Sequence, residues 1–470
     1  MRWDDRADVI VVGLGAAGAS AAIEARELGA SVLVLERAEA GGGTSAIAGG
    51  IIYYGGGTPL QRALGFEDSP EEMYKYLVAA CGPAPDEEKL KLYCENSVDH
   101  YAWTVGCGVP FKPSFYEGLS LPLTDDGLSY SGSENAHPFN ALAKPAPRGH
   151  KPMVSGDGGG ALLMEKLVAR VTAAEARVLY RVLCSTLIQK ADGRVVGVTA
   201  YADGVERNYL ARRAVVLAAG GFCKNREMLR RYAPVYLSCD APIGVAGDDG
   251  RAMRMGMGAG GDVMRMDSAF CAMPFHPPEK LIEGILVNSH GQRFINEDRY
   301  YGDTGNAIVR EQGGRAFLIV DRDCSVESAY GRPRLLAEGA TPAELERAMG
   351  LPAPVLENTL AVYNRYAAQG KDPLLRKSPR YLRPLDKPPL RVFDCSTSVA
   401  YYPYFTLGGL RTRSSGEVLD VEGEPVAGLY AAGRTTSGLS ALGYSSGIAL
   451  ADATFFGRLA GRSAARMDHL

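Results

Sequence analysis

The sequence predicts an α/β fold (α+β overall): a Rossmann-like nucleotide-binding domain interrupted by an inserted α+β domain. Three observations carry that expectation. A short apolar run ends in Gly13, Gly15 and Gly18, at Gly-x-Gly-x-x-Gly spacing, and an Ala-rich helical pattern follows. Apolar, β-branched runs that end in small residues return far along the chain, at 214–222 and 428–433. Between them, from about 268 to 400, Pro and charged residues rise and helical patterns alternate with short strands. The expected division is therefore 1–267 and 401–470 for the two parts of the nucleotide domain and 268–400 for the insertion. A chain of 470 residues also exceeds what one ordinary core holds.

The first strand is expected at 8–12, the helix to about 28, where Gly29 stops it, and a second strand at 31–35 ending in Glu36. Both strands read as continuous apolar runs, the pattern of a parallel sheet buried on both faces. Gly13 permits the tight turn, Gly15 lets backbone approach a pyrophosphate, and Gly18 lets helix and strand pack closely. The helix N-terminus, with the amides of Ala16 and Ala17, attracts the phosphates. Glu36, 18 residues past Gly18, is placed to accept hydrogen bonds from the adenosine ribose, with Arg37 beside it. Residues 41–50 are too Gly-rich for a regular element and suit a loop around a cofactor, with Thr44, Ser45, Gly49 and Gly50 as contacts.

Ser69, Pro70 and Glu72 form a helix start, and the helical pattern runs to about 81. A second helix is expected from 86 to near 105, a long ordered excursion over 110–155, and a helix over 159–171. Alternation at 178–188, 195–201 and 206–210 predicts a β-meander, after which 214–222 returns to the nucleotide sheet with Ala219 and Gly220 at its end. Helices are expected at 342–349 and 354–368, a strand and Gly turn at 428–433, and a terminal helix over 446–466.

Composition excludes several classes. Net charge is −3 with acids and bases interspersed, so nucleic-acid binding has no electrostatic support. No apolar run reaches the roughly 18 residues that span a bilayer, and the N-terminus lacks the features of a signal peptide. A cytoplasmic protein is expected. The nine cysteines form no CxxC pair and only six histidines are present, scattered, so reduced thiols and no metal are expected.

The TSAIAGG loop at 44–50, the VVLAAGGF strand at 215–222, and the tail from Gly428 to Arg458 occur in one order along the chain. Together with 291–297, which reads GQRFINE, they resemble the fumarate reductase/succinate dehydrogenase flavoprotein superfamily. The resemblance implies FAD, a cap closing over the flavin, and flavin contacts from Gly433 and from Gly447, Ile448 and Ala449. Amides at that last helix start would stabilise charge on the reduced ring. The departures concern the substrate. The slot of the histidine that bonds FAD covalently is Gly43, so the FAD is expected to be non-covalent. The histidine and arginine slots that hold dicarboxylates are Phe405 and Tyr444. Arg299 lies two residues before the slot of the proton-donating arginine.

A buried carboxylate without a cationic partner is costly, so a small neutral, apolar ketone is the expected substrate. This set resembles the 3-ketosteroid dehydrogenase branch of the superfamily, and within it the Δ4-(5α) type. The resemblance implies catalytic roles for Tyr444, Ser446 and Tyr300, with Tyr301 as the alternative to Tyr300. In the expected reaction Tyr444, tuned by Ser446, takes a proton beside a 3-keto group while hydride leaves for the flavin. A flavin ene-reductase acting on enones, a Δ1-ketosteroid dehydrogenase and a non-catalytic FAD-binding protein are the rivals. Arg293 and Glu297 are expected to pair within the cap, and His276 is a possible cap-lining residue. No second dinucleotide motif follows a strand, so the electron acceptor is a separate, unidentified molecule.

Overall fold

The computed structural model describes residues 2–119, 122–273, 279–328 and 333–469. His276 lies outside the described residues.

The nucleotide sheet begins with β1 (Asp5–Val12), α1 (Ala16–Glu27) and β2 (Val32–Leu35). Helix α2 (Gly159–Ala173) leads to β3 (Arg177–Leu179), β4 (Val182–Gln189), β5 (Val195–Ala202) and β6 (Val205–Leu217). Far downstream come β7 (Glu417–Leu419), β8 (Pro425–Ala431) and α3 (Ile448–Arg466). The strand order is β7-β8-β6-β1-β2-β3, with β8, β6, β1, β2 and β3 parallel and β7 antiparallel at the edge. The parallel strands are buried along their apolar runs, as both faces are covered. Helices α1 and α3 pack on one face at very close range. A Cβ on Gly457 would stand 2.5 Å from the Ala17 carbonyl oxygen, and one on Gly461 2.2 Å from that of Ala21. The last helix is thereby held against the first.

Two expected elements differ. The segments at 206–210 and 214–217 are one 13-residue strand, β6. Its first half pairs antiparallel with β5 and its second half parallel with β1 and β8, so one strand carries both the meander and the return. The 41–50 loop contains one helical turn, Gly43–Ala46, because Gly42, at φ +124°, turns the chain and its carbonyl accepts from the Ala46 amide. The excursion over 110–155 is tied down by a small sheet of Ile52–Tyr53, Gly149–His150, Leu128–Ser129 and Phe115–Tyr116. The helices at Pro70–Ala80, Glu87–Gly106, Pro342–Met349 and Val355–Ala367 stand where the sequence predicts them, and Ser69 caps the first.

Within 268–400 a four-stranded antiparallel sheet (Ile285–Val287, Phe317–Val320, Leu390–Asp394, Arg334–Gly339) sits on a second apolar core, to which Phe222, Leu229, Tyr236 and Tyr402 from outside that segment also contribute. Arg293 and Glu297 form two hydrogen bonds there, at 3.0 and 2.7 Å, with Asp372 and Lys377 completing a buried cluster. Strand Ala269–Cys271 pairs with Pro403–Thr406, and this short sheet carries the segment Phe270–Met273 to the edge of the nucleotide domain. Among the described residues no helix is long and apolar enough to cross a membrane.

Candidate active site

A cavity of about 620 Å3 runs from the glycine turn after β1 to the start of α3. At one end it is lined by Gly13, Gly15, Ala16, Ala17, Glu36 and Arg37. Gly13 has φ +99°, and a Cβ there would meet the Ala218 carbonyl oxygen at 2.6 Å, so only glycine makes this turn. Gly18 does not line the cavity. Its missing Cβ would stand 2.0 Å from the Gly13 carbonyl oxygen, so it supports the turn by close packing. Helix α1 has no side-chain cap on its first amides apart from the Ser45 hydroxyl, which accepts from Ala16 N at 3.2 Å. Glu36 accepts from Leu14 N at 2.7 Å and from Ala38 N at 2.8 Å, which fixes its carboxylate across the turn with lone pairs left for a ribose.

The middle of the cavity is lined by Thr44, Ser45, Gly49, Gly50, Ala219 and Gly220. Gly43 also lines it, with nothing within 4 Å of the Cβ position. Helix α3 opens at Gly447, with φ +100° and no side-chain cap from that residue; Ile448 N donates to the Ser445 carbonyl at 3.2 Å, and the positive end of the helix is directed at the cavity. Gly433, Gly447 and Ala449 face the cavity, whereas Ile448 is turned into the core at 1% exposure. Leu450 and Ala453 of the same helix also line the cavity.

The far end is aromatic. Phe270, Tyr301, Phe405 and Tyr444 line it together with Ser446. The Phe405 ring stands edge-on to Tyr444 at 5.5 Å, and Phe270 lies 4.9 Å from Phe405 and 5.1 Å from Tyr444. Thus Phe270, Phe405 and Tyr444 form one continuous aromatic wall. The Ser446 hydroxyl shares hydrogen bonds of 2.8 Å with both the Tyr300 and Tyr301 hydroxyls. Tyr301 faces the cavity, while Tyr300, the residue the sequence favours, stands behind it with ring centroids 4.3 Å apart.

Tyr444 departs from its expected partner. Its hydroxyl accepts from Ala449 N at 3.3 Å instead of bonding Ser446, because the uncapped amide of the first helical turn is a donor without an intrahelical acceptor. Burial pushes the Tyr444 phenol above its usual value, and the amides of Ala449 and Gly447 and the charge of Arg434 pull the other way. Burial likewise pushes Tyr300 up, reinforced by Tyr301 and Tyr444.

Three cations line the cavity among the described residues, and each has a carboxylate. Arg37 pairs with Asp249 at 2.9 Å, Arg251 with Asp249 at 3.7 Å, and Arg434 with Asp248. Arg299 is outside the cavity, paired with Asp303 and placed over Phe139. Asp248, Phe270 and Met273 line the cavity and carried no sequence signal, since the destination of the loops and the short strand that bring them depends on the tertiary fold. Arg434 directly follows Gly433 and was within reach of the same turn motif.

Chain, sheet order and cavity define the class: the model of the FAD binding domain family matches residues 8–450, and the protein belongs to that family and binds FAD. The glycine turn, the fixed Glu36 and the starts of α1 and α3 fit that cofactor. More particularly, the chain is 30% identical to the 3-oxo-5-alpha-steroid 4-dehydrogenase of Comamonas testosteroni, covering 92% of this chain and 93% of the relative. It superposes on the 3-ketosteroid-delta4-(5alpha)-dehydrogenase of Rhodococcus jostii RHA1, solved with 4-androstene-3,17-dione, with a TM-score of 0.95 and 46% identity over 99% and 98% of the two chains. The 3-ketosteroid delta1-dehydrogenase of Sterolibacterium denitrificans shares the fold at TM-score 0.74 and 23% identity, over 98% and 99% of the chains.

Proposed function

We propose that the protein is an FAD-dependent 3-oxosteroid dehydrogenase that converts a 3-oxo-5α-steroid to its 3-oxo-Δ4 product. The observation that carries this reading is the hydrogen-bonded Tyr301–Ser446 hydroxyl pair, which lines one cavity with Tyr444 on an aromatic wall whose neighbouring cation, Arg434, is already paired. A neutral fused-ring ketone suits such a surface, and among the described residues a carboxylate would find no unpaired cation in the cavity wall. The 30% and 46% identical relatives act on, or are solved with, steroids of this kind.

Bound FAD supplies the hydride acceptor. Tyr301, joined through Ser446 to Tyr300, donates a hydrogen bond to the 3-keto oxygen and so acidifies the neighbouring C–H. Tyr444 receives that proton, and the Ala449 amide stabilises its phenolate. Phe270 and Phe405 hold the rings of the substrate and exclude water. Segment 268–400 serves as the cap. The FAD is held without a covalent bond, since Gly43 offers no nucleophile. Anaerobic addition of a 3-oxo-5α-steroid is expected to bleach the flavin and yield the Δ4-enone. Bleaching by a dicarboxylate but not by the steroid would overturn the reading.

A further inference from the structure

Two charged groups in the cavity wall take no part in the chemistry above. Arg434 is 13% exposed and Asp248 1%. The Asp248 carboxylate accepts from Arg434 Nη2, from Arg434 Nη1 at 3.3 Å, and from the Thr44 hydroxyl at 3.1 Å. The guanidinium lies 5.3 Å from the centre of the Phe405 ring, which is itself edge-on to Tyr444. Thr44, Asp248, Arg434, Phe405 and Tyr444 all line the one cavity, and the pair reaches from Thr44 in its middle to Phe405 at its tyrosine end. Burying such a pair is weak evidence for stability, because desolvation offsets most of the attraction. In a low-dielectric wall, however, the part of the guanidinium field that Asp248 leaves uncancelled acts across a neighbouring ring.

We propose that Arg434 is an electrostatic positioning residue whose charge, trimmed by Asp248, sets the electron affinity of the flavin ring. The inference rests on the proposed function, which requires the flavin ring to lie within reach of Tyr444. Hydride transfer moves two electrons and one proton from the steroid carbon to the flavin, and the second proton goes to the base. Arg434 and Asp248 gain and lose no atom. Reduction adds negative charge to the ring, so a nearby cation favours the reduced form and drives the reaction towards dehydrogenation instead of ene reduction.

The test is the two-electron midpoint potential of the FAD-loaded full-length protein, titrated anaerobically against a reference dye. Arg434→Gln is expected to lower the reduced-to-oxidised ratio at a given potential about tenfold, about 30 mV for a two-electron couple. Arg434→Lys should restore most of that loss. Asp248→Asn should shift the potential the opposite way, by unmasking the guanidinium. A purely structural pair predicts equal signs or no shift, and either result overturns the proposal. If Arg434→Gln does not retain FAD, the upward shift in Asp248→Asn is required by itself, and loss of FAD from both variants assigns the pair to cofactor retention and overturns the proposal. The flavin absorption of Tyr444→Phe separates the two readings. An unperturbed spectrum with undiminished turnover removes the ring from this end, whereas a perturbed spectrum with unmoved Arg434 and Asp248 potentials sinks only the present inference.

Discussion

Replacing Tyr444 by Phe removes one oxygen and little else. The ring is 7% exposed and wedged between Phe270, Phe405 and Tyr300 at centroid distances of 5.1, 5.5 and 6.4 Å, all of which the phenyl group keeps. The lost contact is the 3.3 Å hydrogen bond from Ala449 N, worth about 1 kcal/mol of stability. The rate loss should be far larger. A positioned base contributes about 10²–10⁴-fold, so the variant should reduce its flavin some hundredfold or more slowly, about 3 kcal/mol in the barrier. Because burial holds the Tyr444 phenol above its ordinary value, its phenolate fraction in the neutral range is small and grows tenfold per pH unit. Flavin reduction in the wild type should therefore rise with pH through and beyond neutrality, and the Phe variant should lose that rise. Anaerobic stopped-flow mixing with a 3-oxo-5α-steroid, following loss of oxidised-flavin absorbance, reads both. Retention of a third or more of the wild-type reduction rate, or an unchanged pH profile, would refute the assignment of Tyr444 as the base.

Tyr301→Phe should lower steroid turnover more than Tyr300→Phe, since only Tyr301 faces the cavity; steady-state kcat for the two variants checks the order. Ser446→Ala cuts both 2.8 Å links and should approach the Tyr301→Phe loss, about tenfold or more, while thermal stability changes by about 1 kcal/mol. Gly13→Ala places a methyl group 2.6 Å from the Ala218 carbonyl oxygen at φ +99°, so the purified variant should carry little FAD, as measured by its flavin-to-protein absorbance ratio. The Asp68–Arg148 pair is fully buried at 2.7 Å, and Asp68→Asn should cost about 3–5 kcal/mol in urea unfolding. Although burial alone would raise Asp68, hydrogen bonds and charge from Arg148 hold its folded pKa below the ordinary 3.8. Its stabilisation is therefore full above 3.8 and lost as pH falls through the lower folded value, and acid titration of Asp68→Asn should lack that step.

Local physics made much of this molecule readable from its residues. A turn that only glycine tolerates, followed by small helical residues and an acid at the second strand's end, specifies the dinucleotide corner through neighbours close in the chain. Gly18 packs against the Gly13 carbonyl, and Glu36 accepts from Leu14 and Ala38, all partners within the βαβ unit, whereas the Ala218 carbonyl beside Gly13 arrives with the strand that returns far along the chain. The capped helix at 70–80 was legible for the same reason.

By itself, then, the amino-acid sequence determined the class of fold and the glycine turn of the cofactor corner, and it put Phe405 and Tyr444 where the resemblance would place carboxylate-binding groups. Which hydroxyl meets which was decided only in three dimensions. Ser446 lies two residues from Tyr444 but bonds Tyr300 and Tyr301, about 145 residues away, while Tyr444 turns to the helix amide at Ala449. Asp248 reaches Arg434 and Thr44 across gaps of 186 and 204 residues. Such meetings depend on how the cap strand, the return strand and the last helix pack together, and packing geometry is not encoded in spacing along the chain.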